Sequence, residues 1–160
     1  MAFDWSSLFD EVARETPAEQ DDLAALATDL DRPLSDEEID EAGEDGASEW
    51  TIPSGPLPAS YLDLLGWSNG GSLIRDDVSL DPFFSTHEVR DYLLSYLVPK
   101  WMPGALPFGF DGGGAFYMFD MRQPAENGHY PVIRVDSGDL DWDEAEVMAA
   151  SFDEWLRNRG

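Results

Sequence analysis

The sequence contains no cysteine and few basic residues, and each absence excludes a class of function. Without cysteine there is no disulfide framework, no thiol nucleophile and no thiolate metal site. Nine Lys and Arg residues stand against 34 Asp and Glu residues, which leaves a formal net charge of −25. Such a charge repels nucleic-acid phosphates and anionic lipid headgroups. We therefore expect neither nucleic acid nor membrane among the partners.

Long hydrophobic runs are also absent. No stretch reaches the roughly 18 consecutive apolar residues of a membrane-spanning helix. The first ten residues carry acidic side chains where a secretory signal carries basic ones, so we expect a cytoplasmic protein. The chain has 160 residues, 42% of them hydrophobic, which is enough to build one hydrophobic core.

The negative charge is concentrated in the first third of the chain. Residues 1–50 carry 17 acidic and 2 basic side chains, whereas residues 51–160 carry 17 and 7. We therefore predict two parts. The first, 1–50, is an acidic helical segment that packs on or flanks the second, and the second, 51–160, is the body of the protein.

The acidic segment shows three helical patterns. The first is an apolar stripe with the spacing of one helix face, formed by Trp5, Leu8, Phe9 and Val12. The second pattern predicts a helix that is capped by Thr16, has Pro17 at its first position and repeats the apolar stripe as far as Leu30. The third, 35–48, predicts an acidic helix that gives way to a solvated loop at its glycines.

The body combines helices with strands. A helix begins at Pro58 and ends at an Asn-Gly-Gly stop, and two capping boxes, at 85–88 and 151–154, begin further helices. The helix after the first box places one apolar stripe on one face: Val89, Tyr92, Leu93, Tyr96 and Leu97. Short apolar stretches predict strands near 73–74, 78–80, 106–110, 115–119, 131–135 and 146–150. This pattern favours an α+β fold.

Candidate reactive groups are few. Neither His87 nor His129 lies in a spacing that metal or nucleophilic chemistry requires. The acidic run 136–144 clusters carboxylates, but no register of it supplies both the glycine and the closing Glu of a calcium loop. There is no Gly-x-Ser-x-Gly elbow to present a nucleophile. We therefore expect a non-catalytic protein with no metal and no cofactor.

Several motifs follow one another in a fixed order along the body. The first is Leu-Pro-x-x-Tyr followed by Asn-Gly-Gly, formed by Pro58, Tyr61, Asn69, Gly70 and Gly71. The second joins Pro-Phe to an acid, three glycines and a strand ending in aspartate, formed by Pro107, Phe108, Asp111, Gly112, Gly113, Gly114, Tyr117 and Asp120. A Pro-Val pair at 131–132 and a closing helix with Phe152 and Trp155 complete the set. In this order, over about residues 57–157, the motifs resemble the SUKH superfamily of Smi/Knr-like proteins.

The resemblance implies an α+β fold in which helices pack on a mixed, mostly antiparallel sheet. It also implies a bacterial immunity protein that neutralises a toxin domain, often a nuclease, or a regulatory interaction protein of the kind found in fungi. Neither role requires a catalytic residue. We expect the motif residues to be structural, with the aromatic ones in the core and the glycines in a helix stop and a turn. The binding surface then lies elsewhere.

We predict the partner-binding surface from exposed acids and one aromatic residue among them: Asp76, Asp77, Asp81, Glu126, Asp136, Asp139, Asp141, Trp142 and Asp143. A toxin domain with a basic surface complements such a patch. Three alternatives stay open: Trp142 lies in the core, the acidity serves only solubility, or the run 136–144 belongs to a small metal-binding protein or enzyme. The sequence leaves the oligomeric state open.

Overall fold

Seven β-strands form one sheet in which each strand pairs with its neighbour in the chain. The computed structural model describes residues 3–75 and 78–157. The strands are β1 (Glu11–Arg14), β2 (Gly71–Ile74), β3 (Ser79–Phe83), β4 (Ala105–Phe110), β5 (Ala115–Asp120), β6 (Val132–Asp136) and β7 (Glu146–Ala149). All these pairings are antiparallel, and the one parallel contact among the described residues is an isolated bridge between Asp81 and Asp111. The α+β prediction is confirmed, but the sheet is antiparallel rather than mixed, because each connection returns to the adjacent strand.

Helices cover both faces of the sheet. They are α1 (Trp5–Leu8), α2 (Gln20–Asp31), α3 (Asp36–Ala42), α4 (Ala59–Trp67), α5 (Val89–Ser95), α6 (Val98–Trp101) and α7 (Phe152–Arg157), with short 3-10 helices at Ala47–Glu49 and Trp142–Glu144. Helices α4 and α7 pack on one face, where Tyr61 and Trp155 contact Phe108. Helix α5 packs on the other, where Tyr92 contacts Phe110. Within the described ranges, the helices are too short and too polar to cross a membrane.

The aromatic residues of the sequence motifs lie in the core, where we predicted them. The exposed fraction of each is 5% or less: Tyr61, Phe108, Tyr117, Phe152 and Trp155. Most of their ring contacts are edge to face or tilted, and Phe108 and Tyr117 are stacked with centroids 6.3 Å apart. They therefore build the face of the sheet that α4 and α7 cover, and they are not available to a partner.

The apolar stripe predicted as the first helix divides into a short helix and a strand. Helix α1 ends at Leu8, and Val12 lies in β1 opposite Leu73 of β2. The amide of Asp10 donates to the carbonyl oxygen of Ile74 at 2.8 Å as the strand begins. A helix this short gains little by extension, whereas β2 offers a free edge, so strand pairing prevails over the helical spacing.

Helix α2 begins at Gln20 and not at Pro17. Glu19 is its N-cap, and Glu19 and Asp22 form a reciprocal capping box in which each side chain accepts from the other's backbone amide. Thr16 lies between β1 and this box, so the predicted Thr16 cap is wrong. The capping box gives hydrogen-bond partners to two backbone amides, and this stabilisation outweighs the preference of proline for the first helical position. The helix therefore begins after Glu19.

The predicted helix stop after α4 is confirmed. Helix α4 follows Pro58, its N-cap, and ends at Trp67. Gly70 and Gly71 then have φ angles of 105° and 89°, which residues with a Cβ rarely adopt. The chain reverses there and enters β2.

The turn between β4 and β5 is held by the carboxylate of Asp111. It accepts hydrogen bonds from the amides of Gly113 and Ala115 at 2.7 and 3.0 Å. The guanidinium of Arg134 also donates to it, at 2.8 and 3.1 Å. Burial raises the pKa of Asp111, but these hydrogen bonds outweigh burial and lower the pKa overall. The glycines of this motif serve the turn, as predicted.

Arg90 of α5 anchors the acidic segment to the body. The residue is 4% exposed, and its side chain donates to the backbone carbonyl oxygens of Asp29, Arg32 and Pro33 at the end of α2. It also donates to both carboxylate oxygens of Glu38 in α3, each at 2.8 Å. These bonds to Arg90, with the Ser35 amide, hold the pKa of Glu38 at about 2. The division of the chain at residue 50 stays a prediction.

Candidate protein-binding surface

The described surface presents charge and apolar contact rather than a cluster of reactive groups. Within 3–75 and 78–157, no group of three or more His, Asp or Glu side chains is arranged to hold a metal ion. The Nε2 atom of His87 lies 3.2 Å from the carboxylate of Asp22 on the exposed surface. His129 lies in a turn, where its backbone exchanges two hydrogen bonds of 3.0 Å with Glu126. His87 thus contacts helix α2, and the backbone of His129 takes part in a local turn.

The connection between β6 and β7 brings together four of the predicted acids. The carboxylate of Asp136 accepts from the amide of Gly138 at 2.8 Å, and that of Asp141 accepts from the amide of Asp143 at 2.9 Å. Asp136, Asp139, Asp141 and Asp143 are all exposed. No ion pair joins these four carboxylates to any described basic side chain, and their negative charges face solvent.

The other predicted acids are divided between two ends of the sheet. Asp81 is exposed on β3 and lies beside the β4–β5 turn. In an antiparallel meander, that turn and the beginning of the β6–β7 connection share one end, whereas the β5–β6 connection, with Glu126, lies at the other. The structure therefore places Asp81 and Asp136 at the same end and Glu126 apart from them. Asp76 and Asp77 lie outside the described residues.

Trp142 holds the β6–β7 connection against the body. Its indole N–H donates to the carbonyl oxygen of Pro103 at 3.1 Å, and the guanidinium of Arg122 stacks 3.6 Å from the ring centroid. Arg122 is itself bonded to both carboxylate oxygens of Asp120, at 3.0 and 2.9 Å. The ring is partly buried against the core. A role for Trp142 in partner binding stays a prediction.

A shallow cleft lies between the α5–α6 corner and the β6–β7 connection. Its volume is about 300 Å³, and it is lined by Tyr96, Trp101, Ser137, Gly138, Asp139 and Leu140. Tyr96 is 38% exposed and Trp101 is 51% exposed. We call this site the Tyr96–Trp101 cleft. It places two exposed aromatic rings beside an acidic loop.

Tyr96 lies in the cleft because α5 ends one residue before it. The helical stripe predicted Tyr96 on the buried face, but Leu97 has φ 58° and ψ 37°, in the left-handed region, and the chain turns there into α6. The ring of Tyr96 packs edge-on against Phe110 and Phe116, with centroids 5.8 and 4.9 Å apart. One side of the ring is thus fixed by the core while the rest remains exposed.

Trp101, for which no sequence motif predicted a role, closes the other side of the cleft. The Nζ atom of Lys100 lies 4.6 Å from its ring centroid and 2.6 Å from the carboxylate of Glu44. The sequence does carry a signal for its exposure. Pro99 and Pro103 confine Trp101 to a segment too short to bury a large side chain by helical periodicity.

A larger acidic groove runs between α3 and α5. Its volume is about 620 Å³. Three carboxylates line it, from Glu38, Glu41 and Asp91, together with the apolar side chains of Leu94 and Leu97. Because Leu97 precedes α6, this groove and the Tyr96–Trp101 cleft flank the same corner of the molecule. Negative charge therefore surrounds the exposed aromatic rings on two sides.

Comparison with known protein families covers most of the chain. The model of the SMI1/KNR4 family (SUKH-1) matches residues 33–158, which contain α3 to α7 and β2 to β7. No curated protein matches the chain significantly. Helices α1 and α2 and strand β1 precede the matched region. The chain therefore belongs to the SMI1/KNR4 family (SUKH-1), a family of generally non-catalytic modules of the protein-interaction or immunity type.

Proposed function

We propose that the protein is a bacterial immunity protein that binds a cognate toxin domain directly and neutralises it in the cytoplasm of the cell that makes both. The family match over residues 33–158 carries this proposal. The protein acts by covering the toxin, without catalysis, metal or cofactor. Its partner presents a basic surface, such as the substrate-binding face of a nuclease.

Charge complementarity supports a basic partner. The protein has a net charge of −25, and the carboxylates of the β6–β7 connection face solvent. Opposite charge steers two proteins together at rates of up to about 10⁸–10⁹ M⁻¹s⁻¹ at low salt, while a few buried aromatic side chains supply most of the affinity. A nuclease binds phosphates with basic side chains, so an acidic protein on that face competes with the nucleic acid.

A regulatory interaction protein of the Smi/Knr type is the second candidate, and the same family match supports it. Part of the charge also has another explanation, because 9 of the 34 acids lie in residues 1–32, before the matched region. Exposed acids of α2 and α3 keep a protein soluble whatever its partner. An immunity role, unlike a regulatory one, predicts a neighbouring gene for a large secreted protein with a variable C-terminal toxin domain.

Co-expression with that toxin domain tests the proposed function. Bacterial host cells carrying the toxin domain alone are expected to die, and cells that also carry this protein are expected to grow. The two purified proteins, with the toxin inactivated by mutation, are expected to bind one to one in calorimetry. Cells that die as readily with the protein as without it would exclude the immunity role.

The salt dependence of that complex tests the charge argument separately. The affinity is expected to fall as NaCl rises from about 50 to 300 mM, mainly through slower association, because the Debye length falls below about 10 Å in this range. An affinity that does not change with salt would leave the acidic surface without a role in binding and would favour solubility as its purpose.

A further inference from the structure

We propose that the Tyr96–Trp101 cleft is the docking point for a cationic side chain, lysine or arginine, on a loop of the basic protein partner. The proposal rests on the proposed function only in taking the partner to be a basic protein. The cation inserts between the two exposed rings, and the carboxylate of Asp139 at the wall of the cleft pairs with it. The apolar part of the inserted side chain contacts Leu140.

Exposure separates this site from the rest of the surface. Among the described residues, the large hydrophobic side chains that are exposed are Val12, Tyr96, Trp101 and Val147. Val12 and Val147 lie apart, on the edge strands β1 and β7. Tyr96 and Trp101 share one cleft, and Tyr and Trp are the side chains that most often dominate the binding energy of protein interfaces.

The chemistry of the cleft suits a cation. The π face of Trp attracts ammonium and guanidinium groups, and the Trp101 ring already has the ammonium of Lys100 at 4.6 Å. Asp139 lines the cleft and is exposed. A partner's cation in the cleft therefore gains both ring and carboxylate contacts.

The cleft is held in place before any partner arrives. Phe110 and Phe116 pack against Tyr96, and the left-handed Leu97 sets the direction in which α6 leaves the corner. Residues other than glycine adopt this conformation at a cost, which the surrounding packing must offset. A site whose aromatic anchors are already fixed loses little conformational entropy on binding.

A second copy of this chain is a poor occupant. Two copies carry −25 each and repel one another at any distance within the Debye length. Among the described residues, at least five basic side chains already form ion pairs within the chain: Arg32, Arg90, Lys100, Arg122 and Arg134. The charge therefore selects a foreign, basic protein.

A short peptide tests the site without knowledge of the partner. The protein labelled with ¹⁵N is titrated with the peptide amide Gly-Arg-Gly-Arg-Gly and, as a control, with Gly-Glu-Gly-Glu-Gly. The basic peptide is expected to shift the Trp101 indole resonance and the amides of residues 95–102 and 137–140, and the acidic peptide to shift none. Trp101→Ala and Asp139→Asn are expected to abolish these localised shifts, whereas Val147→Ala leaves them unchanged. Shifts spread evenly over the acidic surface, or equal in Trp101→Ala, overturn the proposal.

Removal of the resident cation gives a gain-of-binding test. Lys100→Gln frees the face of Trp101 and removes a positive charge beside the cleft. The basic peptide is expected to bind about two- to fivefold more tightly to this variant, the worth of one exposed cation–π contact. Unchanged or weaker binding contradicts a site in which Lys100 and the partner's cation compete.

The toxin domain separates this proposal from the proposed function. If the toxin is the partner, Trp101→Ala is expected to weaken its binding by about 30-fold, the mark of a hot-spot residue, and Val147→Ala to leave it unchanged. If Trp101→Ala neutralises the toxin as well as the wild type does, the cleft is not the docking point, but the immunity role stands. If the basic peptide binds at the cleft but the protein does not neutralise the toxin, the docking proposal stands and the immunity role is excluded.

Discussion

Tyr61 is at once a motif residue and a source of instability in the core. Its ring contacts Phe83, Phe108, Phe119 and Phe152, with centroids 5.2 to 6.1 Å away. Its hydroxyl is buried and has no hydrogen-bond partner among the described residues. Burial raises its pKa, so the group remains a neutral phenol in the physiological range. An unsatisfied buried hydroxyl costs free energy that the ring's packing must offset.

We expect Tyr61→Phe to raise the free energy of unfolding by about 1 kcal/mol, because it removes the unpaired hydroxyl and keeps the ring contacts. Urea denaturation of the two proteins measures the difference. Tyr92→Phe is the control, since Tyr92 is only half-buried, and it should change stability little. A loss of stability in Tyr61→Phe would show that the hydroxyl has a partner.

Gly71 allows strands β1 and β2 to approach each other closely. It has φ 89°, and a Cβ atom there would collide with the carbonyl oxygen of Ala13 in β1. Gly114 has a similar φ of 98°, but a Cβ atom at that position would have no neighbouring atom within 4 Å. The pair separates the cost of the backbone conformation from that of the collision.

Gly114→Ala is expected to destabilise the protein by about 1 kcal/mol through its positive φ alone. Gly71→Ala should cost about 2 kcal/mol more, since β1 must move away from β2. Thermal unfolding and amide exchange of residues 11–14 measure the two effects. If both variants lose the same stability, β1 does not lie close to Gly71 in solution.

At the scale of elements, one arginine joins the acidic segment to the body. Arg90 donates hydrogen bonds to the carbonyl oxygens at the end of α2 and to the carboxylate of Glu38 in α3. A single buried cation therefore bonds to two helices of the acidic segment. Carbonyl oxygens at a helix end carry partial negative charge, which favours a cation there. The body thus holds a strongly acidic segment through a positive group inside the interface.

Glu38→Gln is expected to lower the free energy of unfolding by about 2 kcal/mol, the usual worth of charged hydrogen bonds that are partly buried. Glu37→Gln removes the same charge from an exposed neighbour and should change stability little. Denaturation at pH 7 compares them. If the two substitutions lower the free energy of unfolding equally, the contact between Glu38 and Arg90 does not stabilise the protein.

The same contact makes stability depend on pH in a defined window. The folded pKa of Glu38 is about 2, below its reference value of 4.5, so its contribution is fully present above about pH 4.5 and is lost as pH falls toward 2. Between pH 5 and 2.5, the wild type should therefore lose more stability than Glu38→Gln does. If the free energies of unfolding of the two proteins fall in parallel with pH, Glu38 does not gain stability from Arg90.

At the scale of the whole molecule, the excess of negative charge opposes the compact state. The chain has 34 acids and nine basic residues, and many of the acids are exposed on α2, α3 and the β6–β7 connection. Their repulsion is long-ranged at low ionic strength, with a Debye length of about 30 Å at 0.01 M salt. Folding brings these charges together, and salt relieves the cost.

We expect the melting temperature to rise by about 3 °C or more between 10 and 300 mM NaCl, since screening of about 1 kcal/mol shifts a domain of this size by that amount. Calorimetry measures it. The double variant Asp40→Asn, Glu41→Gln, at the negative end of the α3 dipole, should melt higher at 10 mM and respond less to salt. A melting temperature that falls with NaCl would contradict self-repulsion.

Local sequence signals predicted the body well. The glycines of the helix stop and the β4–β5 turn are where the chain reverses, and the strands from β2 to β7 lie close to the predicted stretches. At the second predicted capping box, the hydroxyl of Ser151 accepts from the amide of Glu154 at 3.0 Å. At the first, the amide of Ser85 donates to Glu88 at 2.9 Å, but α5 begins later than predicted, at Val89 with Glu88 as its N-cap. Each of these features depends on residues only a few positions apart, so the sequence displays it directly.

Features that depend on distant residues were missed. Strand β1 exists because β2, some 60 residues away in the chain, offers it an edge, and the helical spacing of Val12 does not show this. The anchoring role of Arg90 needs α2 and α3 to lie against α5. Likewise, the exposure of Tyr96 follows from the left-handed turn at Leu97, which no local pattern predicts.

The amino-acid sequence alone identified the family and pointed to a protein partner. Its composition excludes thiol chemistry and favours a basic partner over an anionic one, and its ordered motifs indicate a SUKH-type body, because charge and local turn chemistry are properties of the chain alone. Which acids lie beside which aromatic rings follows from the fold and not from the sequence pattern. The fold separates Glu126 from Asp136 and brings Tyr96 and Trp101 to the acidic β6–β7 connection. Contacts across a sheet depend on register and packing between distant segments, and these are set only when the chain folds.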